Sequence, residues 1–196
     1  MEEDLVIRDA PAHLFKAAGH SLARQFLEGV RFIHDQLVAH LDLKPGNIVV
    51  RAFTRLRIID FGVSVRVSRL ESRLTGYQGT EGWVAPEVKR NPDAGYWPIL
   101  ADIWSTGEVL RYFAGRQPAV RSEIESLADQ LQRPEPQQRP LLSTISLDTL
   151  FKRPLLYEAN PPLNSKRKLG ADAQEKEEVK RRCAQLGSHL VPQCTV

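Results

Sequence analysis

The chain has 196 residues, of which 42% are hydrophobic, with 27 Lys or Arg against 24 Asp or Glu and a formal net charge of +3. This composition suits one globular core, whereas only two cysteines, both near the end, exclude a disulfide framework and favour a reducing compartment. No apolar run approaches the ~18 residues of a membrane span and no signal peptide is recognisable, so an intracellular, cytoplasmic location without membrane contact is expected. Residues 160–196 carry seven basic and four acidic residues, which leaves residues 1–159 formally neutral, so no nucleic-acid partner is expected.

The first predicted element is an amphipathic helix over residues 21–35. Leu22, Phe26, Val30 and Ile33 recur there at helical spacing, which predicts one face packed against a core. Packing is the only role that this helix is expected to have.

A short β-hairpin is predicted next. Residues 47–50 and 56–59 are β-rich runs separated by a five-residue connection, residues 51–55. Asn47 would begin the first strand and Asp60 would follow the second. Antiparallel pairing would therefore bring these two side chains to the same edge.

The loop before this hairpin contains residues that could take part in catalysis. Asp42 could act as a general base towards a hydroxyl group, because a carboxylate in a loop can reach the proton that it removes. Asn47 and Asp60 offer the oxygen ligands that Mg²⁺ prefers, and Lys44 could spread the negative charge of a transferring phosphate. A base with two magnesium ligands is what phosphoryl transfer from a nucleotide requires. The alternative is a hairpin with ordinary polar turns.

Two later helices are predicted. Residues 102–113 are apolar on almost every side, which predicts a buried helix. Ser122 and Glu125 form a capping-box pattern before a second helix. The apolar residues of that helix are Ile124, Leu127, Ala128 and Leu131.

The order of these motifs resembles the eukaryotic protein kinase superfamily. Residues 40–50 resemble its catalytic loop, and residues 59–62 resemble its magnesium-binding motif. Further matches follow in family order: Gly79-Thr80, Ala85-Pro86-Glu87, residues 102–107, and Arg139-Pro140. The resemblance covers roughly residues 1–155.

The resemblance implies a mainly α (α+β) fold, a kinase-like carboxyl-terminal lobe whose small β-hairpin carries the catalytic and metal-binding loops. It assigns catalysis to Asp42, Lys44 and Asn47, ATP binding to Lys44, Asn47 and Asp60, and Mg²⁺ binding to Asn47 and Asp60. Lys44 is typical of members that phosphorylate Ser or Thr hydroxyls of proteins.

The resemblance also implies two long-range contacts. Glu87 and Arg139 would form a buried bidentate salt bridge. Asp102 would accept hydrogen bonds from the backbone of the turn at residues 40–42.

Three departures from the family pattern are visible. Leu41 stands where the family usually has an arginine that holds a phosphorylated residue of the activation segment, here residues 60–87. No glycine-rich loop or strand lysine precedes His40, so only the carboxyl-terminal lobe is expected. Residues 115–122 leave room for a turn where kinases usually have another helix.

Residues 160–196 are predicted to be a disordered tail of mixed charge. Two basic clusters in the tail are the basis of a hypothesis that it binds a nuclear import receptor. They consist of Lys166, Arg167 and Lys168, and of Lys180, Arg181 and Arg182.

Three functions remain open from the sequence. The first is a serine/threonine protein kinase whose activity as this chain alone would be weak or absent. The second is a non-catalytic, pseudokinase-like binding module. The third is a small-molecule kinase similar to aminoglycoside phosphotransferases, against which Lys44, the Ala-Pro-Glu motif and Arg139 argue.

Overall fold

A long amphipathic helix and a buried helix form the framework on which the loops are arranged. The computed structural model describes residues 4–52, 54–116 and 121–151, which belong to one compact unit, Met1–Lys152. The helices in these ranges are α1 (Ala12–Asp35), α2 (Pro86–Arg90), α3 (Pro98–Ala114), α4 (Arg121–Leu131) and α5 (Leu147–Leu150). The strands are β1 (Asp4–Val6), β2 (Val38–Ala39), β3 (Ile48–Arg51), β4 (Arg55–Ile58) and β5 (Val65–Arg66).

Helix α1 confirms the first predicted helix and extends it towards the amino terminus. Leu22, Phe26 and Val30 are fully buried, as the helical spacing predicts. The helix begins at Ala12 rather than at residue 21, because Leu14 and Phe15 continue the buried stripe by two further turns.

The predicted hairpin is present, with each strand displaced by one residue from its predicted range. Strands β3 and β4 pair antiparallel with Ile48 opposite Ile58, and β1 adds a third strand on the other side of β3. A Cβ atom at Gly29 of α1 would lie 3.2 Å from Ile58 Cδ1, so the glycine allows the sheet to approach α1 closely.

Helix α3 is the buried helix that the sequence predicts. Most of its side chains are buried, including the polar residues Asp102, Ser105 and Thr106. It begins at Pro98 rather than at Asp102, because proline is well suited to a first helical turn. Asp102 therefore lies inside the helix, where its side chain is almost inaccessible to solvent.

Helix α4 packs against α3 through the apolar face that the sequence predicts. Its four predicted apolar residues are all buried: Ile124, Leu127, Ala128 and Leu131. The predicted capping box is wrong, because Ser122 lies inside the helix and its hydroxyl donates to Glu123 Oε2 at 2.8 Å. Gly107 allows the close packing, since a Cβ there would lie 2.6 Å from Gln132 Cγ just beyond α4.

Some predictions fall wholly or partly on residues that the structure leaves undescribed. These are the turn at residues 115–122, of which 117–120 are undescribed, the tail at 160–196 and its two basic clusters. In the described ranges, none of the helices combines the length and the apolar character needed to cross a lipid bilayer.

Candidate active site

The loop that contains the candidate base is anchored from below by a buried carboxylate. Asp102 Oδ1 accepts a hydrogen bond from the backbone N–H of Leu41, and Asp102 Oδ2 accepts one from that of His40, both at 2.7 Å. The predicted contact between Asp102 and this turn is therefore confirmed. His34 Nε2 lies 3.0 Å from the same Oδ2 atom. Helix α3 thus provides a rigid support for a loop that has no regular structure of its own.

His40 links the loop to the strand end that precedes Asp60. Its ring is fully buried, Nδ1 accepts from the backbone N–H of Asp42 at 3.2 Å, and Nε2 donates to the carbonyl of Ile59 at 3.0 Å. The ring of Phe61 lies against it, with centroids 4.7 Å apart. The two halves of the candidate site, which are separated by the whole hairpin in sequence, are therefore fastened to one another.

Asp42 lies at the centre of a hydrogen-bonded group. Its Oδ2 accepts from Lys44 Nζ at 2.7 Å and from Asn47 Nδ2 at 2.9 Å, and its Oδ1 accepts from Thr80 Oγ1 at 2.6 Å. Lys44 Nζ also donates to Thr80 Oγ1 at 2.6 Å. The side chain of Asp42 remains 13% exposed, so a hydroxyl group from outside can reach it.

These contacts determine the protonation state of Asp42. Partial burial raises the pKa of its carboxyl group, but the hydrogen bonds from Lys44, Thr80 and Asn47 outweigh burial and leave the pKa below its ordinary value. The carboxylate is therefore ionised at neutral pH, which is the state that a general base requires.

Asn47 and Asp60 are brought to the same end of the hairpin, as the sequence predicts. The backbone N–H of Ile59 donates to the carbonyl of Asn47 at 2.9 Å, which places Asp60 one residue beyond that contact. Both amide hydrogens of Asn47 are used, one on the carbonyl and one on the carboxylate of Asp42, so its amide oxygen is the atom that remains for a cation. Asp60 is exposed and adopts a left-handed backbone with φ of 63°, which aspartate tolerates.

The side-chain oxygens of Asn47 and Asp60 would suit Mg²⁺ better than they would suit a metal ion that is coordinated by protein side chains alone. In the part of the chain that the structure describes, no group of three His, Cys, Asp or Glu side chains is placed to hold a metal ion. Mg²⁺ is commonly bound through one or two side chains together with substrate phosphates and water, and the side-chain oxygens of Asn47 and Asp60 have the chemistry that such a site would use.

Thr80 belongs to this site, although the sequence indicated it only as part of a motif. Its hydroxyl reaches Asp42 because Gly79 passes close to the catalytic loop: a Cβ at Gly79 would lie 2.5 Å from the Leu41 carbonyl oxygen. Gly79 also has φ of 102°, a backbone conformation that other residues rarely adopt. Gly79 is the feature of the sequence from which a close approach of this segment to another backbone could have been predicted.

The predicted pair of Glu87 and Arg139 is present, although the two residues are far apart in sequence. Arg139 Nη1 lies 2.7 Å from Glu87 Oε1, and Nη2 lies 2.8 Å from Oε2, so the pair is bidentate. The remaining guanidinium donors reach the carbonyl groups of Arg133, Leu100 and Pro134. The Arg139 side chain is completely buried, with all five N–H donors satisfied. This pair secures the end of the activation segment to the core.

Leu41, where the family pattern has arginine, is part of the hydrophobic core. It is 5% exposed and has φ of 65°. An apolar side chain at this position cannot bind a phosphate group, in agreement with the prediction from the sequence.

The fold and the candidate site together define a phosphotransferase-type domain, in which an ionised carboxylate, a lysine and two further oxygen-bearing side chains surround one end of a hairpin. The chain belongs to the protein kinase domain family, which it matches over residues 6–166.

Curated relatives of this chain are similar to it over about half of its length. A mitogen-activated protein kinase kinase kinase of Pyricularia oryzae is 39% identical over 106 residues, which is 53% of this chain and 7% of the relative. A probable serine/threonine-protein kinase of Candida glabrata is 46% identical over 90 residues, or 44% of this chain and 12% of the relative. Serine/threonine-protein kinase 10 of Xenopus tropicalis is 37% identical over 101 residues, or 50% of this chain and 10% of the relative. The matched region of this chain thus corresponds to a small part of each relative.

Proposed function

We propose that this domain transfers the terminal phosphoryl group of ATP to Ser or Thr hydroxyl groups of proteins. The observation that carries the proposal is the group of four side chains in which Lys44, Asn47 and Thr80 all hydrogen-bond to the carboxylate of Asp42. Membership of the protein kinase family and the names of the curated relatives support the same reaction.

In this proposal Asp42 accepts the proton of the attacking hydroxyl. Both of its oxygens are held by donors, two on Oδ2 and one on Oδ1, which fixes the orientation of the carboxylate and leaves a lone pair of Oδ1 for the incoming proton. Lys44 lies 2.7 Å from the base and carries a positive charge to the place where the transferring phosphoryl group passes.

Asn47 and Asp60 would hold Mg²⁺ through the amide oxygen and the carboxylate. When bound, the ion neutralises the phosphate charge that develops as the phosphoryl group moves. The contribution of this chain is to fix the two ligands at one hairpin end, through the hydrogen bond between Ile59 and Asn47.

We also propose that the described residues form a carboxyl-terminal kinase lobe. Three large apolar side chains stand exposed beside the candidate magnesium ligand: Ile59, Phe61 and Val63 are 37%, 43% and 40% exposed. Such a concentration of exposed apolar side chains next to a site is typical of a surface that another structural unit covers.

The same exposure favours a second candidate, a non-catalytic binding module that keeps the site residues. A nucleotide bound to the described residues alone would leave part of its surface in water. A small-molecule kinase is less well supported, because the Lys44–Thr80 contact and the Glu87–Arg139 pair follow the protein kinase pattern.

Nucleotide titration separates these candidates. We expect ATP to bind more tightly in the presence of Mg²⁺, and Asp60→Asn to remove the magnesium-dependent gain, because the charged ligand is lost. Asp93→Asn, which changes an exposed aspartate beyond the activation segment, is the matched control and should leave both affinities unchanged. ATP binding that is indifferent to Mg²⁺ in the unmodified chain would contradict the kinase proposal and favour the binding module.

A further inference from the structure

Residues 73–76 of the activation segment lie against the segment that precedes α3, in a contact that the proposed chemistry does not use. Leu74 and Tyr96 exchange two backbone hydrogen bonds of 2.9 Å, which forms an isolated β-bridge. The backbone N–H of Gly76 donates to the carbonyl of Pro92 at 3.2 Å, and the hydroxyl of Tyr96 donates to the carbonyl of Gly76 at 3.2 Å. A bridge of one residue pair is small, and it needs support from side chains to persist.

Arg73 supplies this support. Its Nη2 atom donates to the carbonyl of Ala94 at 3.3 Å and also to the carbonyl of Gly95, and its Cζ lies 4.3 Å from the centroid of the Trp97 ring. Gly95 makes the approach possible, because a Cβ there would lie 3.3 Å from Arg73 Nε. The guanidinium thus stacks on an aromatic face and donates in its own plane, a combination that lysine cannot reproduce.

The contact lies close in sequence to the catalytic group. Gly76 precedes Thr80 by four residues, and a chain extends by at most ~3.6 Å per residue, so the position of Gly76 restricts where Thr80 can lie. Thr80 must reach within 2.6 Å of both Asp42 Oδ1 and Lys44 Nζ. Beyond it, the Trp83 N–H donates to the Thr80 carbonyl at 3.1 Å.

We propose that Arg73 is a positioning residue, whose contacts with residues 94–97 hold the activation segment in the arrangement in which the Thr80 hydroxyl reaches Asp42. The acceptors are backbone carbonyls and an indole ring, so the arrangement requires no phosphate group. The importance of Arg73 for catalysis rests on the proposed function, whereas its structural role does not.

Amide hydrogen exchange of the full chain tests the structural role directly. In Arg73→Ala we expect the amides of Leu74, Gly76 and Trp83 to exchange about fivefold faster or more, the order expected for losing such a stack together with its hydrogen bonds. The Val67 amide, which donates to the Leu37 carbonyl at 2.8 Å in the same segment, is the internal control and should not change. Arg69→Ala, an exposed arginine four residues earlier, is the matched variant and should leave all four amides unchanged.

Two other outcomes overturn the proposal, and a third is decided by a second variant. Unchanged exchange at Leu74 and Gly76 would show that Arg73 does not hold the segment, and a change confined to these two amides would show that it does not position Thr80. Equal acceleration at all four amides would indicate that Arg73→Ala destabilises the whole domain. Arg73→Lys, which keeps the charge, then tests the positioning role. Selective acceleration in Arg73→Lys would support that role, and its absence would overturn it.

A kinetic measurement addresses the catalytic role separately. In any preparation with measurable phosphoryl transfer, Arg73→Ala should lower kcat by a larger factor than it raises the KM for ATP, because Thr80 contacts the base and Lys44 but neither proposed magnesium ligand. An increase in the KM for ATP with unchanged kcat would contradict the positioning role. Selective acceleration of amide exchange together with ATP binding that is indifferent to Mg²⁺ would leave the structural role intact and contradict the proposed function instead.

Discussion

Asp102 shows how a single buried carboxylate can organise a catalytic loop. The two oxygens of this carboxylate accept hydrogen bonds from two successive backbone N–H groups, those of His40 and Leu41, and Asp102 is 1% exposed. The turn requires this support because Leu41 adopts a positive φ, which costs about 1–2 kcal/mol in a residue other than glycine. The loop conformation is therefore determined by a residue that is distant in sequence, as Arg139 determines the end of the activation segment.

The Glu87–Arg139 pair supplies a stability prediction at the scale of one residue. Arg139→Ala should lower the free energy of unfolding by roughly 3–5 kcal/mol, because it removes a fully buried partner and leaves the Glu87 carboxylate and three carbonyl groups without their donors. Denaturant unfolding measures the change. Arg31→Ala, which removes an exposed ion pair with Asp35 at 3.8 Å, is the control and should cost less than ~1 kcal/mol. Equal losses in the two variants would show that Arg139 is not buried in solution.

At the scale of elements, the activation segment depends on close approach between backbones. Gly79→Ala would place a Cβ 2.5 Å from the Leu41 carbonyl and 2.7 Å from Val84 Cγ1, so the segment would have to move away from the catalytic loop. We expect a loss of more than about 2 kcal/mol in denaturant unfolding, since this clash adds to the ~1–2 kcal/mol of left-handed strain.

Gly82 provides the matched control for this substitution. It has φ of 87°, but a Cβ there would meet nothing within 4 Å, so Gly82→Ala should cost only the backbone strain. Equal costs for the two substitutions would mean that Gly79 does not approach Leu41, and the placement of Thr80 would then be wrong.

Tyr96, which pairs with residues 74–76 of the activation segment, makes the stability of the domain sensitive to alkaline pH. Burial and the nearby charge of Asp102 raise the pKa of its hydroxyl from 10.0 to about 12. Between these values the unfolded chain loses the proton and the folded chain keeps it, so the stability contributed by the neutral phenol is complete below pH 10 and is lost as pH rises to about 12.

Unfolding free energies between pH 9 and about 12 test this linkage. The stability of the unmodified chain should fall by about 2 kcal/mol more than that of Tyr96→Phe over this range, since two pKa units correspond to roughly 2.7 kcal/mol and the folded-state phenol is half ionised at the upper end. Tyr77→Phe removes an exposed tyrosine of the same segment and should keep the full slope. Identical slopes for the unmodified chain and Tyr96→Phe would show that Tyr96 is not the group responsible.

At the scale of the whole molecule, the described residues group the proposed base and the proposed magnesium ligands at one end of a hairpin. The sequence contains no glycine-rich loop of the kinase type before His40. The exposed apolar residues beside Asp60 are in keeping with a site that is open on one side.

We therefore expect the 196-residue chain by itself to phosphorylate a generic basic protein very slowly. Loss of one preorganised donor commonly costs ~10²–10³ in rate, so turnover should lie well below the ~1–100 s⁻¹ typical of kinases. The measurement is ATP-dependent phosphate incorporation, with Asp42→Asn as the control for true catalysis. Robust turnover that Asp42→Asn abolishes would show that these 196 residues are sufficient for activity.

The amino-acid sequence was sufficient to predict the class of chemistry. Asp42, Lys44, Asn47 and Asp60 lie within nineteen residues of one another, and their spacing around a hairpin already indicated a base and two magnesium ligands. Local rules of this kind succeed because antiparallel pairing and helical periodicity depend on neighbours in the chain. The buried faces of α1, α3 and α4 were predictable for the same reason.

The tertiary structure decided which distant groups complete the site. The proximity of Thr80 to Asp42 depends on Gly79 passing the Leu41 carbonyl, and the role of Arg73 depends on residues 94–97 lying beside it. The ends of helices were also decided by the tertiary structure: Ser122 forms a capping pattern in sequence but lies inside α4. Such contacts join residues whose separation in the chain carries no periodic signal, so only the packing of the whole domain brings them together.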